Sequence, residues 1–184
     1  MKNALHPSPV FTDSLTPAMH TLLDRAEAMC AEHGARLTPQ RREILGLILK
    51  AQAPVGAYDL LEQIKSPDRK PAPPTVYRAL DFLLEQGLIH RIERLSAFVP
   101  CTHLLHAQHA HDCEHNHDHD DMCLHTAQFL ICRGCSGVTE ITTPAVLDAV
   151  RHACAAEGFV VQSASIEIEG LCRACAAKAK HAHT

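Results

Sequence analysis

Two Cys-x-x-Cys pairs in the C-terminal half of the chain constrain its fold more than any other feature. They are Cys132 with Cys135 and Cys172 with Cys175. Two residues between paired thiols let both sulfurs bind one ion at about 2.3 Å, and two such pairs complete a tetrahedron of four thiolates. This donor set suits Zn²⁺ and leaves no coordination position for a substrate. The spacing therefore predicts a structural zinc site that joins two distant segments.

The chain has nine cysteines in 184 residues, and the compartment decides how they are interpreted. The N-terminal stretch MKNALHPSPVFTDS lacks a basic-then-apolar secretion signal, and no apolar run is long enough for a membrane span. We therefore expect a cytoplasmic protein, in which thiols stay reduced. Two redox-active pairs are the alternative, but neither pair opens a helix in a βαβ context.

Residues 101–125, CTHLLHAQHAHDCEHNHDHDDMCLH, contain eight His, three Cys and five acidic residues. The stretch has almost no aliphatic periodicity, so we expect its middle to be a solvated, mobile loop. Three alternatives stay open for that middle: it forms a weak metal site, it raises the local zinc concentration, or it does neither. The candidate ligands of such a site are Cys113, His117, His119, Asp121 and Cys123.

The front half shows four helical patterns followed by two short strands. Helices are predicted over 16–33, from Pro39 after an N-cap at Thr38, over 57–65 after a turn at 54–56, and from Pro74 to Gly87. LIHRIERLSAFVPC predicts two strands with a turn near 94–96. This order is that of a winged helix-turn-helix, in which the last helix enters the DNA major groove and the hairpin is the wing. A plain small helical bundle is the alternative.

The back half predicts a mixed domain. QFLICRGC and VTEI have the pattern of strands, 144–157 that of a helix ending at Gly158, and FVVQSASIEIEG that of a long strand. The long strand offers an edge through which two chains can pair. The predicted class is thus α+β, with an N-terminal winged helix-turn-helix followed by a small α/β dimerisation domain. The predicted segments are a flexible N-terminus 1–15, a DNA-binding domain 16–101, a His-rich hinge loop 102–124, a zinc-binding dimerisation domain 125–177 and a flexible tail 178–184.

The balance of basic and acidic residues also differs between the front and back halves of the chain. The net charge of −4 argues against an undirected nucleic-acid binder. Residues 1–100 carry 12 Lys and Arg against 11 Asp and Glu, whereas 101–184 carry 5 against 10. A mildly basic front half and an acidic, ligand-rich back half predict two domains with different tasks.

A second group of metal-ligand types lies around the predicted junction of the two domains: His90, Cys101, His125 and Glu140. One thiolate, two imidazoles and one carboxylate make a tetrahedral zinc site with fewer anionic sulfurs than the first. Such a site between two domains suits a reversible sensor. The residues alone leave this choice open, because the His-rich stretch offers many competing ligands and single His and Glu residues are usually surface side chains.

The helix from Pro74 carries the predicted base contacts. Arg78 can bind the O6 and N7 atoms of guanine with both ends of its guanidinium, and Tyr77 can contact a phosphate or a thymine methyl; Thr75 lies beside them. Phosphate contacts, which make binding salt-dependent, are predicted for Arg36, Arg41, Arg42, Lys70 and Arg91. For each of these cations the alternative is a solvated surface charge.

Several segments resemble the ferric uptake regulator superfamily, and most closely its zinc-sensing branch, the zinc uptake regulators. They are LTPQRREILGLI, GAYDLLEQIK, PPTVYRALDFLLEQGLIHRIE and FLICRGCSGVTEI, and the resemblance spans roughly 20–177. It implies a winged helix joined to a dimerisation domain, with metal at the hinge making a homodimer competent for operator DNA. Repression of zinc-uptake genes from AT-rich pseudo-palindromic operators is the function it implies.

The resemblance also assigns residues. It implies structural zinc on the four paired cysteines and regulatory zinc on His90, Cys101, His125 and Glu140, hence two zinc ions per monomer, with a third open. It implies a DNA contact for Tyr58 and pairing of two dimers on one operator through Glu62 and Lys65. Iron- and peroxide-sensing relatives carry His-His-Asp-His where this chain reads Thr126-Ala127-Gln128-Phe129. The thiolate of Cys101 likewise favours zinc over Fe²⁺ or Mn²⁺.

Three other functions are alternatives to this one. A zinc hydrolase needs an open coordination position and a nearby base, and the chain has no HExxH or G-x-S-x-G motif; we therefore expect no enzyme. A sensor of iron or another metal is the second alternative. A zinc-storage or zinc-delivery protein using the His-rich stretch is the third, and it leaves PPTVYRALDFLLEQG unexplained.

Overall fold

The computed structural model describes residues 15–66, 71–105, 127–161 and 164–181. The chain divides into two compact units, Met1–Asp112 and Cys113–Thr184.

The first unit contains five helices: α1 Pro17–Glu32, α2 Pro39–Lys50, α3 Ala57–Gln63, α4 Pro73–Glu85 and the short α5 Thr102–Leu105. Threonine caps begin α1 and α2: Thr16 accepts from the Met19 N–H at 3.3 Å and Thr38 from the Arg41 N–H at 3.5 Å. Proline follows each cap, where its missing N–H costs nothing. The four predicted helices are confirmed, and α4 begins one residue before the predicted Pro74.

A three-stranded antiparallel sheet completes this unit. Its strands are β1 Val55–Gly56, β2 Ile89–Ile92 and β3 Ala97–Pro100, in the order β1-β3-β2. The predicted hairpin of β2 and β3 is confirmed, and Ser96 closes its turn with a φ of 48°. Strand β1 lies where a turn was predicted. Two residues are too few to show a strand period, so only pairing with β3 defines this strand.

The core of the first unit lies between α1, α2, α4 and the hairpin. Leu23, Ile44 and Leu83 are fully buried, one from each of these helices, together with Ile89 of β2. Leu104 of α5 is also fully buried in this core. The first unit thus extends into a stretch that the sequence assigned to the hinge loop, because Leu104 supplies an apolar contact.

The second unit contains β4 Ala127–Cys132, β5 Val138–Ile141, α6 Pro144–Ala156, β6 Ser165–Gly170 and α7 Arg173–His181. Its sheet has the order β5-β4-β6, with β5 antiparallel and β6 parallel to β4. The predicted strands at QFLIC and VTEI are confirmed. So is the helix ending at Gly158, whose φ of 69° suits glycine.

Two expectations for the second unit differ from the structure. The long strand predicted to start at Phe159 starts at Ser165, because its ladder with β4 runs only from Ala127–Ser165 to Cys132–Gly170. Among the described residues, 178–181 belong to α7, although 178–184 was expected to be a flexible tail. Alanine and lysine, both strong helix formers, extend that helix.

Side-chain burial differs sharply across the second unit. Helix α6 has no buried residue, and Phe129 of β4 is fully buried. Leu130, Ile168 and Leu171 stay 41%, 47% and 51% exposed, and Leu130 pairs with Ile168 across β4 and β6. Within the described ranges, no helix combines the length and apolar character needed to cross a membrane.

Candidate metal centres and nucleic-acid interface

The structure brings the four paired cysteines together. The sulfur atoms of Cys132, Cys135, Cys172 and Cys175 all lie within 4.8 Å of one another. Cys132 ends β4 and Cys172 follows β6, so the parallel pairing of these strands places both pairs at one end of the sheet. Cys175 lies in the first turns of α7. The predicted four-thiol cluster is therefore formed by two loops that the sheet aligns.

Backbone hydrogen bonds hold these loops in place. The Cys172 N–H donates to the Cys132 sulfur at 3.2 Å, and the Arg133 N–H donates to the Gly170 carbonyl at 2.8 Å. Within the first loop, the Cys132 N–H donates to the Gly137 carbonyl at 2.9 Å. These bonds help to fix the positions of the sulfurs.

Two of the four thiols have pKa values shifted in opposite directions. The hydrogen bond from the Cys172 N–H is the main cause that lowers the pKa of Cys132 to about 6. The hydrogen bond with the Cys172 side chain is the main cause that raises the pKa of Cys175 to about 12. Four thiolates at this distance repel one another, and a coordinated zinc ion deprotonates its thiols. A divalent cation bound by the cluster would offset this repulsion.

The geometry also fits zinc. Sulfurs bound at about 2.3 Å to one tetrahedral zinc ion lie about 3.8 Å apart, which the observed cluster accommodates. Gly134 makes this closeness possible, because a Cβ there would lie 2.9 Å from both Cβ and Sγ of Cys175. Gly134 was not singled out from the sequence. A glycine between the two cysteines of a metal-binding pair was the available signal.

The hairpin of the first unit brings His90 and Cys101 together. His90 lies on β2 opposite Val99, and the Cys101 N–H donates to the Leu88 carbonyl at 3.1 Å. The donor atoms of His90 and Cys101 lie within 4.8 Å of each other. Cys101 is buried and His90 half-buried. A thiol and an imidazole at this distance can supply two of the four ligands of a tetrahedral zinc ion.

The other predicted ligands of that site lie elsewhere in the chain. Glu140 is a half-buried residue of β5, opposite Phe129, in the second unit. His125 lies outside the described residues, as do the candidate ligands of the third site, Cys113, His117, His119, Asp121 and Cys123. The four-residue regulatory site and the third site both remain predictions.

The predicted DNA contacts lie on the outer surface of the first unit. Tyr77 and Arg78 are exposed on α4, and Thr75 beside them is half-buried. Tyr58, in the first turn of α3, is 69% exposed, and Arg36 is exposed before α2. Large exposed aromatic and cationic side chains beside a helix start suit base and phosphate contacts.

The other predicted contacts have partners within the protein. Arg41 lies over the Phe82 ring, and Arg42 forms salt bridges with Asp24 and Glu27 of α1. Glu62 and Lys65 are exposed and form an ion pair with each other. Lys70 lies outside the described residues. Contacts of these side chains with DNA or with a second dimer remain predictions.

Comparison with known proteins places the chain among metal-responsive regulators. The model of the ferric uptake regulator family matches residues 32–169. The zinc uptake regulation protein of Escherichia coli (strain K12) is 40% identical over 154 residues, which cover 84% of this chain and 81% of that protein.

Solved structures agree with this likeness. A zinc uptake regulator complexed with zinc and DNA matches with a TM-score of 0.74 and 36% identity, covering 90% of this chain and 99% of the other. Holo XcZur matches with a TM-score of 0.69 and 38% identity, covering 85% and 98%. The predicted α+β class is confirmed.

Proposed function

The chain belongs to the ferric uptake regulator family, and on that premise we propose that it is a zinc-responsive transcriptional regulator whose zinc-loaded dimer binds operator DNA and represses zinc-uptake genes. One observation carries this proposal: the likeness to a zinc- and DNA-bound zinc uptake regulator extends over 90% of the chain. A match of that length is longer than either unit, so it includes residues of both.

The two zinc ions have different roles. The first is structural and bound by Cys132, Cys135, Cys172 and Cys175, whose sulfurs already converge. The second is regulatory and bound by His90, Cys101, His125 and Glu140. The short distance between the His90 and Cys101 donor atoms supports this assignment. A third ion on the His-rich stretch stays an open possibility.

Zinc acts on DNA binding by restricting orientation. Two winged helices of a dimer must fit two half-sites on one duplex, and most relative orientations do not fit. A hundredfold gain in operator affinity needs only about 2.7 kcal/mol of differential stabilisation. Zinc binding to a protein site supplies on the order of 10 kcal/mol. The regulatory ion therefore has enough binding energy to select the DNA-competent orientation.

The partners follow from the exposed surfaces. Arg78 of α4 contacts bases, and Tyr77 contacts a phosphate or a thymine methyl. Tyr58 and Arg36 contact the duplex nearby, on an AT-rich pseudo-palindromic operator. Homodimerisation covers the apolar side chains that the second unit leaves exposed, such as Leu130 and Ile168. Glu62 and Lys65 join two dimers on one operator.

Other functions have less support. At the positions of the iron-sensing motif, Gln128 is buried and its amide donates to the Thr143 carbonyl at 3.1 Å, while Phe129 is fully buried. Neither side chain supplies a metal ligand. A zinc store needs no exposed Tyr77 and Arg78 side by side on a helix. The relatives are regulators, so the proposed role is regulatory and not enzymatic. A regulator that binds operator DNA would act in the cytoplasm.

The regulatory site is tested by Cys101→Ser. We expect a folded dimer that keeps its structural zinc but loses the roughly hundredfold zinc stimulation of operator binding, because serine is a poor zinc ligand. The measurement is fluorescence anisotropy on operator DNA, with zinc and with chelator, alongside zinc per monomer. Cys154→Ser on α6 is the matched control, since Cys154 belongs to neither site. An unchanged zinc response in the Cys101 variant contradicts the regulatory assignment.

A further inference from the structure

Arg41 of α2 makes two contacts within the first unit. The guanidinium carbon lies 3.5 Å from the centroid of the Phe82 ring on α4. The same group donates to the Arg36 carbonyl at 2.8 Å, in the turn before α2. A planar cation stacked on a ring and bonded at its edge has a fixed position.

The surroundings of Arg41 are those of a partly buried packing residue. Phe82 is only 9% exposed. The charge of Arg41 also reaches the buried Cys30 of α1, where it opposes the burial that raises the pKa of that thiol. Arg41 therefore lies where α1, α2 and α4 approach one another.

Phe82 is well placed to transmit this packing to the DNA surface. It follows Arg78 by four residues on α4, so the two side chains share one face of the helix. A guanidinium held against Phe82 opposes rotation of α4 about its axis. Such a rotation would move Arg78 and Tyr77 away from the bases they are to contact.

We propose that Arg41 is a positioning residue of the DNA-binding unit, which sets the rotation of α4 by stacking on Phe82, and that it contributes no phosphate contact. This inference rests on the proposed DNA-binding function. It differs from the sequence-based expectation that Arg41 binds phosphate. Arg36 has a different role: its side chain is exposed, and it is still predicted to contact phosphate.

A double-mutant cycle on unfolding tests the stacking contact without DNA. Arg41→Gln and Phe82→Leu are made singly and together in the full-length, zinc-loaded protein, and urea unfolding is measured. We expect the two substitutions to be coupled by a factor of about three in the unfolding equilibrium constant. The control cycle of Arg36→Gln with Phe82→Leu should be additive. Additivity for Arg41 as well overturns the proposal.

The salt dependence of operator binding tests the role on DNA. The slope of log K against log salt is negative, and a lost phosphate contact reduces its magnitude by about 0.9. We expect Arg41→Gln to weaken binding at least about threefold with an unchanged slope, and Arg36→Gln to give a shallower slope. A shallower slope for Arg41→Gln overturns the proposal. If the wild-type protein binds no operator, the proposed function fails, while the unfolding cycle still decides whether Arg41 stacks on Phe82.

Discussion

The two units of this protein are stabilised in opposite ways. The first buries large aliphatic side chains from three helices and a hairpin, among them Leu23, Leu45 and Leu83. In the described part of the second, α6 has no buried residue, and the fully buried large side chain is Phe129. One unit has a hydrophobic core, whereas the other has a thiol cluster and exposed apolar side chains. The second unit should therefore depend on metal and on a partner chain, and the first on neither.

The two metal-ligand groups follow the same division. The four-cysteine cluster joins loops that would otherwise be connected only by a three-stranded sheet. His90 and Cys101 lie on a hairpin that is already packed into the first core. On the proposed assignment, removing the ion from the first group should unfold part of the chain, whereas removing the ion from the second should leave its hairpin intact. The four-cysteine cluster is thus suited to a structural ion, and the His90 and Cys101 pair to a reversible one.

Loss of the thiol cluster should have the largest effect. For Cys135→Ser we expect unfolding of the second unit and loss of the dimer, because a structural zinc contributes on the order of 10 kcal/mol to folding. The first unit should stay folded. Hydrogen exchange measures this directly, with rapid exchange in β4 and β6 and continued protection in α2 and α4. Equal loss of protection in both units would show that they do not fold independently, and Cys154→Ser is the control.

Truncation of the first core should have the next largest effect. Leu45 is fully buried, so Leu45→Ala should destabilise the first unit by about 3 kcal/mol. Leu130 is 41% exposed, so Leu130→Ala should change monomer stability by less than about 0.5 kcal/mol and weaken self-association instead. Urea midpoints and sedimentation measure the two quantities. The contrast between the two units is contradicted if Leu130→Ala lowers the free energy of unfolding as much as Leu45→Ala.

The smallest of these effects concerns one glycine beside the cluster. Gly134→Ala should lower the affinity of the structural zinc about tenfold to hundredfold, because a Cβ there lies 2.9 Å from Cys175. Gly170→Ala, where a Cβ meets nothing within 4 Å, is the matched control in the same unit. Competition with chelators measures the affinity, and Co²⁺ absorption reports whether four thiolates still bind. Equal affinities in the two variants would show that the loop moves away without cost.

Prediction from sequence succeeded where the signal was local. Capped starts at Thr38 and the glycine stop at Gly158 define helices through nearby backbone bonds, so their ends could be located within a residue. The prediction was incomplete where pairing with a strand distant in sequence decides whether an element forms or where it begins. Strand β1 exists because of β3, and the start of β6 is set by the length of β4. Helix α5 is recognised as part of the first unit only through the burial of Leu104.

The sequence by itself determined the four-thiol site, because Cys-x-x-Cys spacing already fixes two sulfurs near one ion, and it determined the helix carrying Tyr77 and Arg78. Only the tertiary structure decided how individual side chains are used. It placed Arg41 on Phe82, the Cys175 sulfur against Gly134, and His90 beside Cys101. Spacing along a chain determines which residues can meet within one turn or loop. Contacts between elements depend on packing, which brings together residues far apart in sequence.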